Sequence, residues 1–170
     1  SGGSLTGSKI ADAQAAYEST QTLSPTVLGG VNFVLHAAGW MEGGLVADYA
    51  KLVLDADQLT MIPKLVNGID MTDNGQAMDA LRETGPGQHF LGSSHTQANF
   101  EDAFWRSELA DNNTFEQWSA EGCVDSAGRG RKKFAEMLER YVAPEIDPAV
   151  DEALRAFITK RMEELPDTDY

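Results

Sequence analysis

The sequence is short of cysteine, of positive charge and of long apolar runs, and each shortage excludes a class of protein. Cys123 is the one cysteine in 170 residues, so no disulfide can form within the chain, and a reducing cytoplasm is the predicted compartment. The 13 basic residues face 27 acidic ones, and the net charge of -14 disfavours binding to nucleic acids or anionic membranes. No apolar run approaches the roughly 20 residues of a membrane span, so no membrane protein is predicted.

The remaining composition is that of an ordinary globular protein. Hydrophobic residues make up 42% and charged residues 24%, and a chain of this length can bury a real core. The first residue is Ser1 rather than a methionine, and convincing strands are few. The first feature fits either an expression scar or the middle of a longer protein. With so few strands, either the terminal helices cover the sheet or the fold needs strands from before residue 1.

Strand-like and helix-like segments alternate along the first two thirds of the chain. Val31–Ala38 is mostly apolar without alternation, which predicts a strand covered on both faces, and Gln88–Leu91 is a second candidate strand. Helices are predicted over residues 11–22, 45–67, 73–84, 96–106, 114–120 and 125–142, and from Asp147-Pro148 onward. Alternation predicts parallel strands. Two strands cannot close a barrel, so an incomplete arc with exposed edges, and therefore self-association, is predicted.

The stretch from Val31 to Leu45 combines the predicted strand with a glycine-rich turn just before a helix. His36, Trp40 and Glu42 lie where that strand would end. Ligands bind at the carboxyl ends of strands in α/β proteins, because each strand rigidly aims the loop that follows it. The pattern therefore predicts a binding site in this turn.

Each candidate residue also has a structural interpretation. His36 can be a buried histidine bonded to backbone, Trp40 can belong to the core, and Glu42 can cap the following helix. Gln14 and Tyr17 can lie on a helix face packed against a neighbouring unit. These interpretations stay open at the level of the sequence.

The two other histidines do not indicate a metal site. His89 and His95 lie six residues apart across a predicted strand-to-helix turn. No third ligand stands at a recognisable spacing, so no metal is predicted.

Four segments of the chain resemble one protein family. They are Ser8–Glu18, His36–Gly44, Gly85–Gly92 with His95-Thr96, and Trp118–Gly122. Together, in order and at the expected spacings, they cover nearly the whole chain. The sequence is similar to the trimethylamine methyltransferase family, the MttB-like corrinoid-dependent methyltransferases.

The resemblance implies a fold and a place within it. Full-length members resemble TIM barrels and are much longer, so this chain would be the C-terminal portion of a TIM-barrel-like (β/α) fold. That portion is expected to be helix-rich α/β, with two or three terminal helices. Residues 1–110 would form the last β/α units of the methyltransferase domain, and residues 111–170 a helical extension packed on it.

The resemblance also implies an activity. Family members move a methyl group from a methylated amine to the Co(I) of a corrinoid (cobalamin) that a separate protein presents, so no tightly bound cofactor is expected. The donor would be a quaternary amine such as glycine betaine, or trimethylamine. Glu42 as counter-charge and His36 as hydrogen-bond donor are the expected catalytic residues. Trp40 would be a wall of the cation cage, and Gln14, Tyr17 and His89 would complete the substrate site.

A second class of function fits the same sequence. The chain can instead be a non-catalytic helical interaction or ligand-binding module whose small α/β core is only a scaffold. Upstream coding sequence with alternating strands and helices, or a neighbouring gene for a cobalamin-binding protein, favours the enzyme.

Overall fold

The computed structural model describes residues 3–165, and most of this part of the chain is helical. Two strands of two residues each interrupt the helices. In chain order the elements are α1 (Ala13–Leu28), β1 (Trp40–Met41), β2 (Val46–Ala47), α2 (Tyr49–Asn67), α3 (Asp73–Gln76), α4 (Met78–Glu83), α5 (Ser94–Asn99), α6 (Phe115–Ala120), α7 (Ser126–Glu139) and α8 (Pro148–Glu164). The chain divides into two compact units, Ser1–Met137 and Leu138–Tyr170.

The predicted strand over Val31–Ala38 is wrong for this structure. The segment is irregular, and its Leu35 carbonyl accepts a hydrogen bond from the Gly3 N–H at 3.1 Å. A buried parallel strand needs neighbours about 4.8 Å away on its hydrogen-bonding edges. No extended neighbour of that kind lies beside it among residues 3–165, so the apolar segment stays without a sheet.

The two strands that do form are antiparallel, which corrects the prediction of parallel strands. Trp40 lies opposite Ala47, and Met41 lies opposite Val46. The chain reverses over the four residues between the strands, and a direct reversal of this kind can only produce an antiparallel pair. The second predicted strand, Gln88–Leu91, is also wrong, because the chain forms a 3-10 turn over Phe90–Gly92.

The long helices agree better with the sequence, although α1 continues to Leu28, past the end predicted at residue 22. Pro25 lies inside α1 and Pro63 lies inside α2, and neither ends its helix. Each proline removes one backbone donor, and both helices continue past it through the hydrogen bonds of the neighbouring residues. The predicted stop at Gly68 is confirmed, since Gly68 adopts φ 70° directly after α2.

The shorter helices are cut by local backbone geometry. The helix predicted over residues 73–84 is split into α3 and α4 at Ala77, which adopts a left-handed φ of 50°. The helix predicted from Thr96 begins two residues earlier, because the Ser93 side chain caps it by accepting from the Thr96 N–H. The start of α8 is confirmed, with Asp147 as cap and Pro148 in the first turn.

The core of the first unit lies between α1 and α2. Its buried apolar side chains include Ala15 and Leu23 of α1, and Ala50, Val53 and Ile62 of α2. Helix α7 joins this core through Gly130, where an added Cβ would lie 2.9 Å from the Ala50 carbonyl oxygen. Tyr49 and Phe134 stack beside it, with ring centroids 4.4 Å apart.

Many large apolar side chains are left exposed. Five apolar side chains of α8 are examples, each exposed by half or more: Val150, Leu154, Phe157, Ile158 and Met162. Surfaces of this kind favour association. Self-association stays a prediction, which light scattering at working concentration would check.

The helix-rich character of the fold is therefore established, and its completion as a barrel is not. The domain division at residue 110 also remains a prediction. None of the helices over residues 3–165 has the length and apolarity to cross a membrane.

Candidate functional site

The predicted site is centred on a sharply bent loop, residues 36–44, which we name the Trp40 loop. Both residues predicted to be catalytic adopt left-handed backbone conformations, His36 with φ 58° and Glu42 with φ 50°. Side-chain-bearing residues rarely occupy this region, and they stay there only where surrounding contacts fix them. The shape of the loop is therefore set by what holds it from outside.

Two predicted site residues form an aromatic pair within this loop. The rings of His36 and Trp40 meet edge to face, with centroids 5.1 Å apart and planes at 89°. His36 is exposed and Trp40 is half-buried, so neither is the fully buried core residue of the structural alternative. A perpendicular contact with one neighbour leaves at least one face of the indole uncovered by that neighbour.

Glu42 lies at the start of a 3-10 turn on the far side of the loop. Its N–H donates to the Ser8 carbonyl at 3.1 Å, and the Gly43 N–H donates to the Thr6 carbonyl at 2.9 Å. The carboxylate itself is exposed. It does not cap α2, because Asp48 does so by accepting from the Lys51 N–H at 2.6 Å.

The near side of the loop is held by α2 through Gly39. The Gly39 N–H donates to Asp55 Oδ2 at 2.8 Å, and the Gly39 carbonyl accepts from the Asp48 N–H at 2.9 Å. Gly39 has φ 80°, and an added Cβ would lie 3.0 Å from the Leu52 Cβ. Glycine is required here both for the backbone conformation and for the close approach of the helix.

A buried lysine stands beside this contact. The Lys51 side chain is 2% exposed, and its ammonium lies 2.5 Å from Asp55 Oδ2. It also donates to the Ser4 carbonyl at 3.1 Å and to Ser19 Oγ at 2.9 Å. One cation thereby joins α2, α1 and the N-terminal segment.

Sequence reasoning missed Lys51 and Asp55. The available signal was their spacing of four residues on a predicted helix, which brings the two side chains to one face. That spacing usually marks a solvated surface pair. Only the packing of Ser4 and Ser19 over the pair shows that it is buried.

Gln14 belongs to a second polar cluster, around Glu18. The Gln14 amide donates to Glu18 Oε1 at 2.8 Å, while Glu18 Oε2 accepts from the Thr6 hydroxyl and the Gly7 N–H, both at 2.7 Å. Hydrogen bonds hold the pKa of Glu18 below its usual value. The largest effect comes from the Thr6 hydroxyl, followed by the Gln14 amide and the Gly7 N–H. The Thr6 carbonyl also accepts a hydrogen bond from the Gly43 N–H, so this cluster supports the Trp40 loop from the N-terminal side.

Because of the polar cluster around Glu18, we expect the free energy of unfolding to fall in acid. The pKa of Asp12 is likewise lowered, by the Ala15 N–H and then by the Ser8 hydroxyl. A carboxyl whose pKa is lower in the folded state stabilises that state fully at neutral pH, and the contribution is lost as the pH falls. We expect the urea midpoint to drop between about pH 5 and about pH 3, and Glu18→Gln to make that drop smaller.

The matched control is Glu101→Gln, which removes the same charge from an exposed position. It should leave the acid slope as in the wild type. Equal slopes for wild type and Glu18→Gln would show that the cluster adds nothing to stability.

The last two predicted residues, Tyr17 and His89, are both exposed. Tyr17 is 73% exposed on α1, and His89 is exposed just before the 3-10 turn at Phe90. Within residues 3–165 neither forms a hydrogen bond or a ring contact with the other four predicted residues. The structure thus brings His36 and Trp40 together, bonds the backbone of Glu42 to Ser8, and bonds the Gln14 side chain to Glu18 within α1.

A cavity of about 370 Å³ lies between α1 and α2. None of the six predicted residues lines it. Its ionisable lining consists of four carboxylates and two cations: Asp12, Asp55, Asp57, Asp111, Lys51 and Arg129. The excess of carboxylates makes the surroundings more favourable for cations than for anions.

The described part of the chain contains no group of three or more His, Cys, Asp or Glu side chains able to hold a metal ion. His95 is instead bonded through Nε2 to the Asn74 carbonyl at 2.7 Å. Its role in this structure is to join α5 to α3.

Comparison with known proteins agrees with the resemblance seen in the motifs. The family model described as trimethylamine methyltransferase (MTTB) matches residues 1–166. A glycine betaine methyltransferase of Desulfitobacterium hafniense (strain Y51) is 37% identical over 165 residues, covering 97% of this chain and 34% of the relative.

Two trimethylamine methyltransferases show the same pattern. MttB of Desulfitobacterium hafniense (strain DSM 10664 / DCB-2) is 33% identical over 95% of this chain and 32% of its own length. MttB of Methanosarcina barkeri is 28% identical over 93% of this chain and 32% of its own length. The chain spans about a third of the length of these relatives and matches their C-terminal part. The chain belongs to the trimethylamine methyltransferase family.

Proposed function

We propose that the intact gene product, meaning this chain with whatever its gene encodes beyond these 170 residues, moves a methyl group from a methylated amine to the Co(I) of a corrinoid. A separate small protein carries that corrinoid. The observation that carries the proposal is the match over residues 1–166 to a family whose named relatives are methyltransferases of glycine betaine and trimethylamine.

We propose a quaternary amine such as glycine betaine as the methyl donor, with trimethylamine as the second candidate. A quaternary nitrogen is already an activated leaving group, whereas a tertiary amine needs activation first. The glycine betaine relative shares 37% identity with this chain, against 33% and 28% for the two trimethylamine relatives compared above.

The donor site is proposed in the Trp40 loop. The indole of Trp40 would attract the ammonium head by about 0.5–2 kcal/mol, and the exposed Glu42 carboxylate would offset its charge. His36, held against Trp40, would donate a hydrogen bond to the carboxylate of a betaine. Gln14, Tyr17 and His89 would complete the site as further donors or cage walls.

In the proposed reaction, the bond between the amine nitrogen and the methyl carbon breaks. Its electron pair leaves with the demethylated amine, and the methyl carbon is bonded to the cobalt of the acceptor. The acceptor is itself a strong nucleophile, so the residues of this chain have only to hold and orient the donor. A donor site on an exposed loop suits an acceptor presented by another protein.

We also propose that the chain supplies the last β/α units and the closing helices of a barrel in the intact protein. Residues 31–38 would then pair with strands outside these 170 residues, and those strands would supply partners for the backbone hydrogen-bonding groups of the segment. The division into residues 1–110 and residues 111–170 belongs to the same proposal. The single cysteine favours a reducing cytoplasm as the compartment.

The experiment is a methyl-transfer assay on the intact protein. Reduced Co(I) corrinoid protein is mixed with glycine betaine or with trimethylamine, and methylation of cobalt is followed by its absorbance change. We expect transfer from glycine betaine at a higher kcat/KM than from trimethylamine. Transfer from trimethylamine alone would overturn the proposed donor. Transfer from neither, at any corrinoid concentration, would favour the non-catalytic interaction or ligand-binding module.

A further inference from the structure

We propose that Asp55, with Lys51 beside it, is a positioning residue that fixes the Trp40 loop in the shape that meets the methyl donor. The inference rests on the proposed function and deepens it, since it names the group that sets the geometry of the donor site. Asp55 lies on α2 and is outside the set of residues that the family motifs pointed to.

One oxygen of Asp55 is the point at which three parts of the chain meet. Oδ2 accepts from the Lys51 ammonium at 2.5 Å, from the Gly39 N–H at 2.8 Å and from the Ser4 hydroxyl at 3.2 Å. Gly39 directly precedes Trp40. The carboxylate therefore reaches the loop one peptide bond away from the aromatic residue of the site.

The position of this carboxylate is itself fixed from behind. The Lys51 ammonium cannot turn away from Asp55 without giving up the Ser4 carbonyl and Ser19 Oγ, to which it also donates. Lys51 is buried and Asp55 is nearly so, and in such surroundings charge-assisted hydrogen bonds are short and directional. The Lys51–Asp55 pair thus connects the Trp40 loop to the core between α1 and α2 and restricts its movement.

The loop has little freedom to respond on its own. The other polar group of Gly39, its carbonyl, is bonded to the N–H of Asp48, which also caps α2. Both backbone groups of Gly39 are consequently attached to the first two turns of one helix. A shift of the Asp55 carboxylate should move Gly39, and with it the ring of Trp40 and its contact with His36.

Asp57 provides a matched control on the same helix. Its carboxylate accepts from the Ser107 hydroxyl and, at 3.0 Å, from the Glu108 N–H, so it holds a different loop. That loop contains Trp105, whose indole N–H donates to Thr60 Oγ1 at 2.9 Å. Asp55 and Asp57 therefore each position one tryptophan-bearing segment from α2.

The experiment uses the intact protein labelled with 5-fluorotryptophan and read by fluorine NMR. The signals of Trp40 and Trp105 are assigned with Trp40→Phe and Trp105→Phe. We expect Asp55→Asn to shift or broaden the Trp40 signal while the Trp105 signal stays in place. Asp57→Asn should do the reverse. An unchanged Trp40 signal in folded Asp55→Asn would overturn the proposal.

Activity supplies the second readout. Since small displacements of a positioned group can cost up to about a hundredfold in rate, Asp55→Asn should lower kcat/KM for the amine by roughly ten- to a hundredfold. The KM for the corrinoid protein should not change. A loss of the same size in Asp57→Asn, in step with its loss of thermal stability, would mean that Asp55 only stabilises the fold.

Asp55→Glu keeps the test valid if the asparagine variant does not fold. It retains the charge beside Lys51, but its longer side chain displaces the carboxylate from Gly39. The Trp40 signal should move and kcat/KM should fall, and wild-type behaviour in both measurements would overturn the proposal. If the wild-type protein transfers no methyl group, the proposed function fails, while the fluorine spectra still decide whether Asp55 positions Trp40.

Discussion

Replacing Lys51 by methionine should destabilise the protein by about 3–5 kcal/mol, the usual cost of removing one partner of a buried ion pair. The side chain is 2% exposed, and methionine replaces its unbranched stem without the ammonium group. The Asp55 carboxylate would lose its counter-ion, and the Ser4 carbonyl and Ser19 hydroxyl would each lose a donor. Urea unfolding of the intact protein, followed by circular dichroism, measures the effect.

The control for this prediction is Lys160→Met on α8. Lys160 pairs with Glu164 at the same spacing of four residues, but its side chain is 71% exposed. Such pairs contribute about 0–1 kcal/mol, so the control should unfold almost like the wild type. The double variant Lys51→Met/Asp55→Leu should recover part of the loss, because no unpaired charge is left in the core. Equal midpoints for Lys51→Met and Lys160→Met would refute the role given to the buried pair.

Trp40→Ala and Glu42→Gln should each lower kcat/KM for a cationic methyl donor by about 1–3 kcal/mol, or roughly 5- to 150-fold. Trp40 is proposed to act through the face of its ring, so Trp40→Phe should retain more activity than Trp40→Ala. Glu42 is proposed to act through its charge, and the glutamine variant removes only that charge. The assay is methylation of the Co(I) corrinoid protein, with the donor and the corrinoid protein varied separately.

The KM for the corrinoid protein should not change in either variant, because both substitutions are proposed to act on the amine donor alone. Trp118→Ala and Glu101→Gln are the matched controls, since each removes the same group from a different segment. If Trp40→Ala and Glu42→Gln keep the wild-type kcat/KM for every methylated amine tested, these residues do not bind the donor and have only a structural role.

The parts of the fold that follow from local chemistry could be predicted from the sequence. Asp147-Pro148 starts α8, Thr114 caps α6 through the Gln117 N–H, and Gly68 ends α2. Each of these depends on one side chain or one backbone conformation within a single turn. Such signals need no knowledge of what packs against the helix.

Features that depend on distant partners could not be predicted in this way. The apolar run from Val31 to Ala38 predicts a strand, but a strand forms only beside a partner strand. Among residues 3–165 no partner strand lies beside this run. Lys51 reads as a surface residue, because nothing near it in sequence reveals that Ser4 and Ser19 close over it. Both errors come from tertiary contacts.

The candidate site shows the same division. The glycine-rich turn and its aromatic residue were visible in the sequence, and His36 and Trp40 do meet. Within residues 3–165 no hydrogen bond or ring contact joins Tyr17 or His89 to these two residues, so their place in the site stays a prediction. The contact of Gly39 with Asp55 joins residues sixteen positions apart and has no local signature.

The central claim is that the ring of Trp40 binds the cationic head of the methyl donor. The most direct test is calorimetric titration of glycine betaine and of 3,3-dimethylbutanoate, its isostere with an uncharged head, into the intact protein. The account predicts that wild-type protein binds glycine betaine more tightly than the isostere, and that Trp40→Ala lowers this preference by about 2- to 30-fold, the share of one cation–π contact. Equal affinity of the wild-type protein for the two compounds, or an undiminished preference in Trp40→Ala, would contradict it.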